Sequence, residues 1–156
     1  MFISHLHSNK DVAKALVNIL ESAFEINQYD IRCTSVHPYR LKAGDRTSDR
    51  LRSEIFLAEA VLGILTPNTS SSSYVLFELG ASWGREGTTL PLLANGSTSV
   101  DVPSPISNLH SLSLDDEDDC YQLLDDIASA TTLTRRSADK KDLAEHINRL
   151  VAIAKQ

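Results

Sequence analysis

Apolar residues along this chain follow two rhythms, and the alternation between them predicts its architecture. Val12, Ala15, Leu16, Ile19, Leu20 and Ala23 recur at three- and four-residue intervals, with Asn9, Lys10, Lys14 and Glu21 elsewhere. That is the period of an amphipathic helix, with Ser8 or Asn9 available as its cap. Ala60-Val61-Leu62-Gly63-Ile64-Leu65 is instead almost wholly apolar, as expected of a central parallel strand covered on both faces. Shorter strand signals lie at residues 2–4, 30–34 and 89–93, and weak alternation over 109–114 predicts a fifth strand at a sheet edge. Asp45 or Thr47 can start a helix with Leu51, Ile55 and Ala58 on its inner face. Another follows the serine cluster at 70–73, and two more are predicted over 121–130 and 139–154. In the last, Leu143, Ile147, Leu150, Val151 and Ala154 share a face.

Strands alternating with helices at this spacing imply parallel strand–helix–strand units with right-handed crossovers. The expected fold is α/β, a flavodoxin-like three-layer sandwich around a mostly parallel five-stranded sheet. Residues 1–134 are expected to form the domain, and 135–156 a helical extension that packs on it or leads to a further domain. Loops at the carboxyl ends of such strands gather on one edge and form the ligand crevice. Here that edge collects residues 4–8, 35–45 and 67–74. The connection at 35–45, punctuated by Pro38 and Gly44, is longer than a connector needs. Residues 131–137 are polar and end in Arg135-Arg136, so they read as a hinge.

Composition narrows the function classes. With 42% hydrophobic and 23% charged residues the chain is globular, and at 156 residues it needs no metal or disulfide to fold. A net charge of -6 argues against a nucleic-acid backbone as the main partner. Five of the negative charges form one run, Asp115-Asp116-Glu117-Asp118-Asp119, which reads as a solvated lead into a helix and lacks the spaced ligands of a calcium loop. Cys33 and Cys120 stand in no metal-binding spacing and read as free thiols of a reducing compartment. Without a basic-then-apolar leader or a membrane-length apolar run, the chain is expected to be cytoplasmic.

One acidic residue stands out in this setting. Glu78 is expected near the middle of its helix, where one turn away lie Tyr74 behind and Ala81 and Ser82 ahead, so no cation stands at helical pairing distance. An aromatic on one side and two small residues on the other make a shelf for a flat ligand beside a carboxylate. The plain alternative is a solvated glutamate on an exposed face.

Taken together, these segments resemble a Toll/interleukin-1 receptor (TIR) domain, in particular the bacterial ones. Phe2-Ile3-Ser4-His5 looks like the family's opening strand, Arg40-Leu41-Lys42-Ala43-Gly44-Asp45 like the end of its BB loop, and Ile64-Leu65-Thr66-Pro67-Asn68 like its third strand and turn. Phe77-Glu78-Leu79-Gly80-Ala81 with Trp83 looks like its glutamate helix, and the pieces occur in the family's order over about residues 1 to 130. The resemblance implies cleavage of NAD+ at the nicotinamide–ribose bond, giving nicotinamide and ADP-ribose or a cyclic ADP-ribose isomer, in bacterial antiviral defence. NAD+ would be substrate, with no cofactor or metal. Glu78 matches the catalytic glutamate. Tyr74 stands where the family often has Trp and can still stack on a ligand ring. Ser4, His5 and His7 match a segment that lies along the dinucleotide, with Ser35 and Tyr39 as further substrate-binding candidates. Some relatives carry arginines where Leu6 and His7 stand, so phosphate contacts here would come from backbone amides or from Arg40 and Lys42.

The resemblance also implies self-association, with residues 35–45 contacting the neighbouring TIR domain and completing its pocket. Two other readings use the same layout. One is a non-catalytic TIR interaction module. The other is a nucleoside deoxyribosyltransferase-like enzyme with Glu78 as nucleophile, which explains the glutamate but not the BB-like loop.

Overall fold

The computed structural model describes residues 1–44, 47–137 and 140–156. Four strands and five α-helices lie among them. They run in the order β1 (Phe2–Ser4), α1 (Lys10–Ala23), α2 (Thr47–Leu57), β2 (Ala60–Leu65), α3 (Ser73–Gly84), β3 (Thr88–Leu93), β4 (Leu112–Ser113), α4 (Glu117–Ala130) and α5 (Lys140–Ala154). The strands form one parallel sheet in the order β1-β2-β3-β4. Asp45 and Asp139, both considered as helix starts, lie outside the described residues.

Side-chain alternation across the sheet divides the core into two layers. On β2, Leu62 and Ile64 join Ile3 and Leu92 against the buried faces of α1, α4 and α5. Val61 and Leu65 join Phe2 and Leu93 against Leu51 and Ile55 of α2 and Val75 and Leu79 of α3. The apolar run 60–65 is therefore buried along its whole length. Gly63 is the exception in side-chain volume, and its place explains it. A Cβ there would lie 2.6 Å from Leu79 Cδ2, so the glycine lets α3 settle directly onto the sheet.

The expected strand at 30–34 is reduced to one bridging residue. Arg32 pairs with Phe2 on the outer side of β1, through Ile3 N–H to the Arg32 carbonyl at 2.8 Å and Arg32 N–H to the Met1 carbonyl at 2.9 Å. On either side the chain turns away: Cys33 N–H bonds the Tyr39 carbonyl, and Asp30 N–H closes a turn on the Asn27 carbonyl. The sheet thus has four strands among the described residues, where five were expected. At the other edge β4 shrinks to two residues, and its Ser113 N–H is taken at 2.6 Å by the Asp119 carboxylate. The acidic run does cap a helix. Asp116 is the N-cap of α4, with Glu117, Asp118 and Asp119 in its first turn, where the helix dipole favours negative charge.

Residues 131–137 are strapped down, which corrects the reading of them as a hinge. Arg135 bridges Phe24 at the end of α1 and lies 5.0 Å over its ring. Arg136 N–H bonds the Ala23 carbonyl, Glu25 N–H bonds the Thr134 carbonyl, and Thr132 bonds the Glu59 carboxylate. The strap delivers α5 onto α1, where Ile147, Leu150 and Ala154 are fully buried in the same core layer. Among the described residues no helix is long and apolar enough to cross a membrane.

Candidate functional site

Glu78 sits on α3, which Ser72 caps by accepting from Val75 N–H, and which is fixed at its far end where Thr89 Oγ1 donates to Ser82 Oγ at 2.8 Å. The glutamate is 6% exposed, so the plain expectation of a solvated carboxylate does not hold. Two features put it there. Leu79, its neighbour, drops against Gly63, and the parallel register sets Ser4 opposite Gly63. The Ser4 hydroxyl, itself buried, then donates to Glu78 Oε2 at 2.5 Å. Among the described residues no cation pairs with Glu78. Burial lifts its pKa to about 7, and the Ser4 hydrogen bond acts in the opposite direction.

Glu78 forms part of the wall of a cavity of about 390 Å³ between α2 and α3, with Tyr74 and Phe77 on the α3 side and Leu51, Arg52 and Ile55 on the α2 side. Tyr74, 55% exposed, lines this cavity beside Glu78. A second hollow of about 620 Å³ shares Arg52, Ile55 and Phe77 with the first and adds Asp49, Phe56 and Ala81. The two make one groove running away from Glu78 along the helix pair.

The other expected site residues are distributed around this centre. Ser4 touches Glu78 and is occupied by it. His5 pairs with Ser35, Nε2 to Oγ at 2.6 Å, and burial lowers the ring's pKa, so the imidazole is neutral at physiological pH. His5 and Ser35 therefore meet each other across the sheet edge, as a second polar pair one residue beyond the first. His7 is exposed on a single 3₁₀ turn, His7–Asn9. Tyr39 points elsewhere. It is buried, and its hydroxyl donates to Glu21 on α1 at 2.6 Å, which together with burial drives its pKa upward. Tyr39 is thus a strut between the long connection and α1, because a phenol buried there needs an acceptor and Glu21 is the one within reach.

The loop cations lie at a separate place. Arg40 and Lys42 line a hollow of about 250 Å³ beside the outer edge of β1, together with Arg32 and Arg50. Glu54 accepts from both of those arginines, and Arg32 also donates to the Tyr39 and Arg40 carbonyls, so this cluster anchors the connection. No group of three or more potential metal ligands exists among the described residues, and both cysteines are free and buried.

Sequence reasoning passed over Arg52 and Phe77. Arg52 and Phe56 stand four residues apart on α2, and Tyr74, Phe77 and Ala81 repeat at three and four on α3. The signal was a pair of stripes containing polar and aromatic residues beside the stripes that carry the core.

A carboxyl group that is buried, held by one hydroxyl and set in a cavity wall with an exposed aromatic is equipped to stabilise positive charge developing on a bound ligand. The model of the TIR domain family matches residues 1–125. No curated protein matches the chain.

Proposed function

We propose, from the premise that the chain belongs to the TIR domain family, that it is an NAD+ nucleosidase with Glu78 as its catalytic residue. One observation carries the reading: Glu78, desolvated, bonded to a hydroxyl and paired with no cation among the described residues, lines a cavity. Breaking the nicotinamide–ribose bond sends the bonding pair to the pyridinium nitrogen, so nicotinamide leaves neutral and the ribose takes on oxocarbenium character. A carboxylate beside that carbon lowers the barrier by charge stabilisation, and in a desolvated wall it does so more strongly than in water. Water then adds to the ribose carbon and loses a proton, giving ADP-ribose; an adenine nitrogen reaching the same carbon gives the cyclic isomer. Because nicotinamide is a good leaving group, no second carboxyl is needed to protonate it. Tyr74 stacks on the nicotinamide ring, Ser4 orients the carboxylate, and the His5–Ser35 pair borders the same sheet edge.

Antiviral defence is the role we attach to this activity, with self-association through residues 35–45 raising it. Nicotinamide release from NAD+ by the wild-type chain, measured over a wide range of protein concentration, tests both parts. Release with specific activity that climbs with concentration is expected; constant specific activity removes the assembly requirement, and no release at any concentration removes the enzyme. A second reading, a TIR interaction module, draws on the aromatic face of α2 and α3, where Phe56 and Phe77 are two-thirds exposed. It takes over if the wild type releases nothing.

A further inference from the structure

We infer that the outer edge of β1 carries a second ligand site, which takes a nucleoside diphosphate by its diphosphate group. The site stands apart from the Glu78 cavity, with which it shares no lining residue, and it does not depend on the nucleosidase reading. Four cations, Arg32, Arg40, Lys42 and Arg50, line its hollow of about 250 Å³, and among the described residues no acidic side chain lines it with them. Arg32 is held in place: it donates to both Glu54 oxygens and to the Tyr39 and Arg40 carbonyls. Arg50 Nε donates to Glu54 Oε1 at 2.7 Å. One carboxylate thus answers two guanidiniums, and Arg40 and Lys42 stand beyond it. Arg40 is exposed, and its guanidinium makes no ion pair or hydrogen bond among the described residues. Cations gathered this closely repel one another, and a bound polyanion relieves that repulsion.

A tight turn holds an aromatic ring beside these charges. Tyr29 is 74% exposed, and the turn that carries it is closed at three points: Asn27 N–H to Asp30 Oδ2 at 2.8 Å, Tyr29 N–H to Asn27 Oδ1 at 2.8 Å and Asp30 N–H to the Asn27 carbonyl at 3.1 Å. The same bonds engage the Asp30 carboxylate. Tyr29, Arg32 and Arg50 recur in the wall of an adjoining hollow of about 280 Å³, which Ile31, Leu57 and Ala58 make largely apolar, with Glu54 beside its two arginines. The cationic and the apolar hollow therefore meet at Tyr29. Guanidinium forks match the oxygens of a diphosphate, and a nucleoside ring has flat faces to lie against the tyrosine. Each hollow alone is smaller than the usual small-molecule site of roughly 300–1,000 Å³, and the two together fall within that range. A ligand seated across both would join the turn at 27–30 to the connection that carries Arg40 and Lys42.

Calorimetric titration of the full chain with ADP and with inorganic pyrophosphate tests the assignment. The side chains to be changed are exposed, so no substitution removes core packing. The double variant Arg40→Gln, Lys42→Gln should weaken both ligands at least about tenfold. Tyr29→Ala should weaken ADP at least about threefold and leave pyrophosphate within about twofold. Arg52→Gln, which changes the Glu78 cavity instead, should leave both affinities as they are. Pyrophosphate that binds as tightly as ADP, with Tyr29→Ala silent, overturns the nucleoside contact and keeps the diphosphate site. Absence of binding by the wild type, or binding indifferent to the double variant, overturns the site itself. So does an ADP affinity that falls in Arg52→Gln and not in the double variant, which would assign the nucleotide to the Glu78 cavity. None of these outcomes turns on nicotinamide release, so the nucleosidase reading stands or falls separately.

Discussion

The Ser4 hydroxyl donates to Glu78 Oε2 at 2.5 Å, joining the last residue of β1 to the middle of α3 across 74 positions of sequence. Among the described residues it is the one hydrogen bond that favours the ionised form of a carboxyl group which burial otherwise pushes towards the neutral acid.

Ser4→Ala removes that bond, so the Glu78 pKa moves further above about 7. Since the carboxylate is the active form in the proposed reaction, the acid limb of the kcat/KM profile should shift to higher pH, with a larger loss at pH 6 than at pH 8.5. Ser4→Thr keeps a hydroxyl and should restore most of the profile. A pH-independent loss in Ser4→Ala would mean that Ser4 serves packing and not the ionisation of Glu78.

Stability should carry the same imprint with a definite sign. The folded state holds the Glu78 proton up to about 7, whereas the unfolded chain releases it near 4.5. Ionising the buried group therefore costs stability progressively between those two values, and the cost is complete above about pH 7. At 1.36 kcal/mol per pKa unit this amounts to about 3 kcal/mol. Glu78→Gln, which cannot ionise, should be more stable than wild type at pH 8 by up to that amount and nearly equal to it at pH 4.5, as read from urea unfolding. Equal stability at both pH values would contradict the desolvated carboxylate.

Gly63→Ala puts a methyl group against Leu79, which is confined by the core and cannot swing clear. A loss of about 1–3 kcal/mol is expected, as for other overpacked cores. Because Leu79 is the neighbour of Glu78, catalysis should fall beyond what the loss of folded protein explains. Unchanged activity per folded molecule would separate the packing of α3 from the placing of its carboxylate.

Leu150 of α5 is fully buried against the same layer as α1. Leu150→Ala should cost about 2–5 kcal/mol, and urea unfolding should stay a single transition. Two separate transitions would show that residues 135–156 fold as a unit apart from the domain.

How much of this was legible in the sequence depended on whether the signal was local. The period of α1, the buried run of β2 and the serine cap of α3 each report on neighbours within a turn or two, and all three stand as expected. Glu78 was legible as an oddity for the same reason, since its missing cation partner is a fact about positions 74 to 82. Its bond to Ser4 was not legible, because that depends on the strand register and on a glycine 15 positions before it. Nor was the direction of Tyr39, which the connection turns towards Glu21, or the loss of the strand at 30–34, where the backbone leaves β1 after one residue. Arg52 was missed because an exposed arginine on a helix is unremarkable until the helix packed beside it is known.

The central claim is that the Glu78 carboxylate breaks the nicotinamide–ribose bond, and the most direct measurement compares nicotinamide release by wild type and Glu78→Gln at pH 8 and high protein concentration. The glutamine keeps the shape and an acceptor for Ser4, so binding of ADP-ribose should persist while release falls at least about a hundredfold, a loss of about 2.7 kcal/mol of transition-state stabilisation. Release by the variant within a few-fold of wild type would contradict the claim.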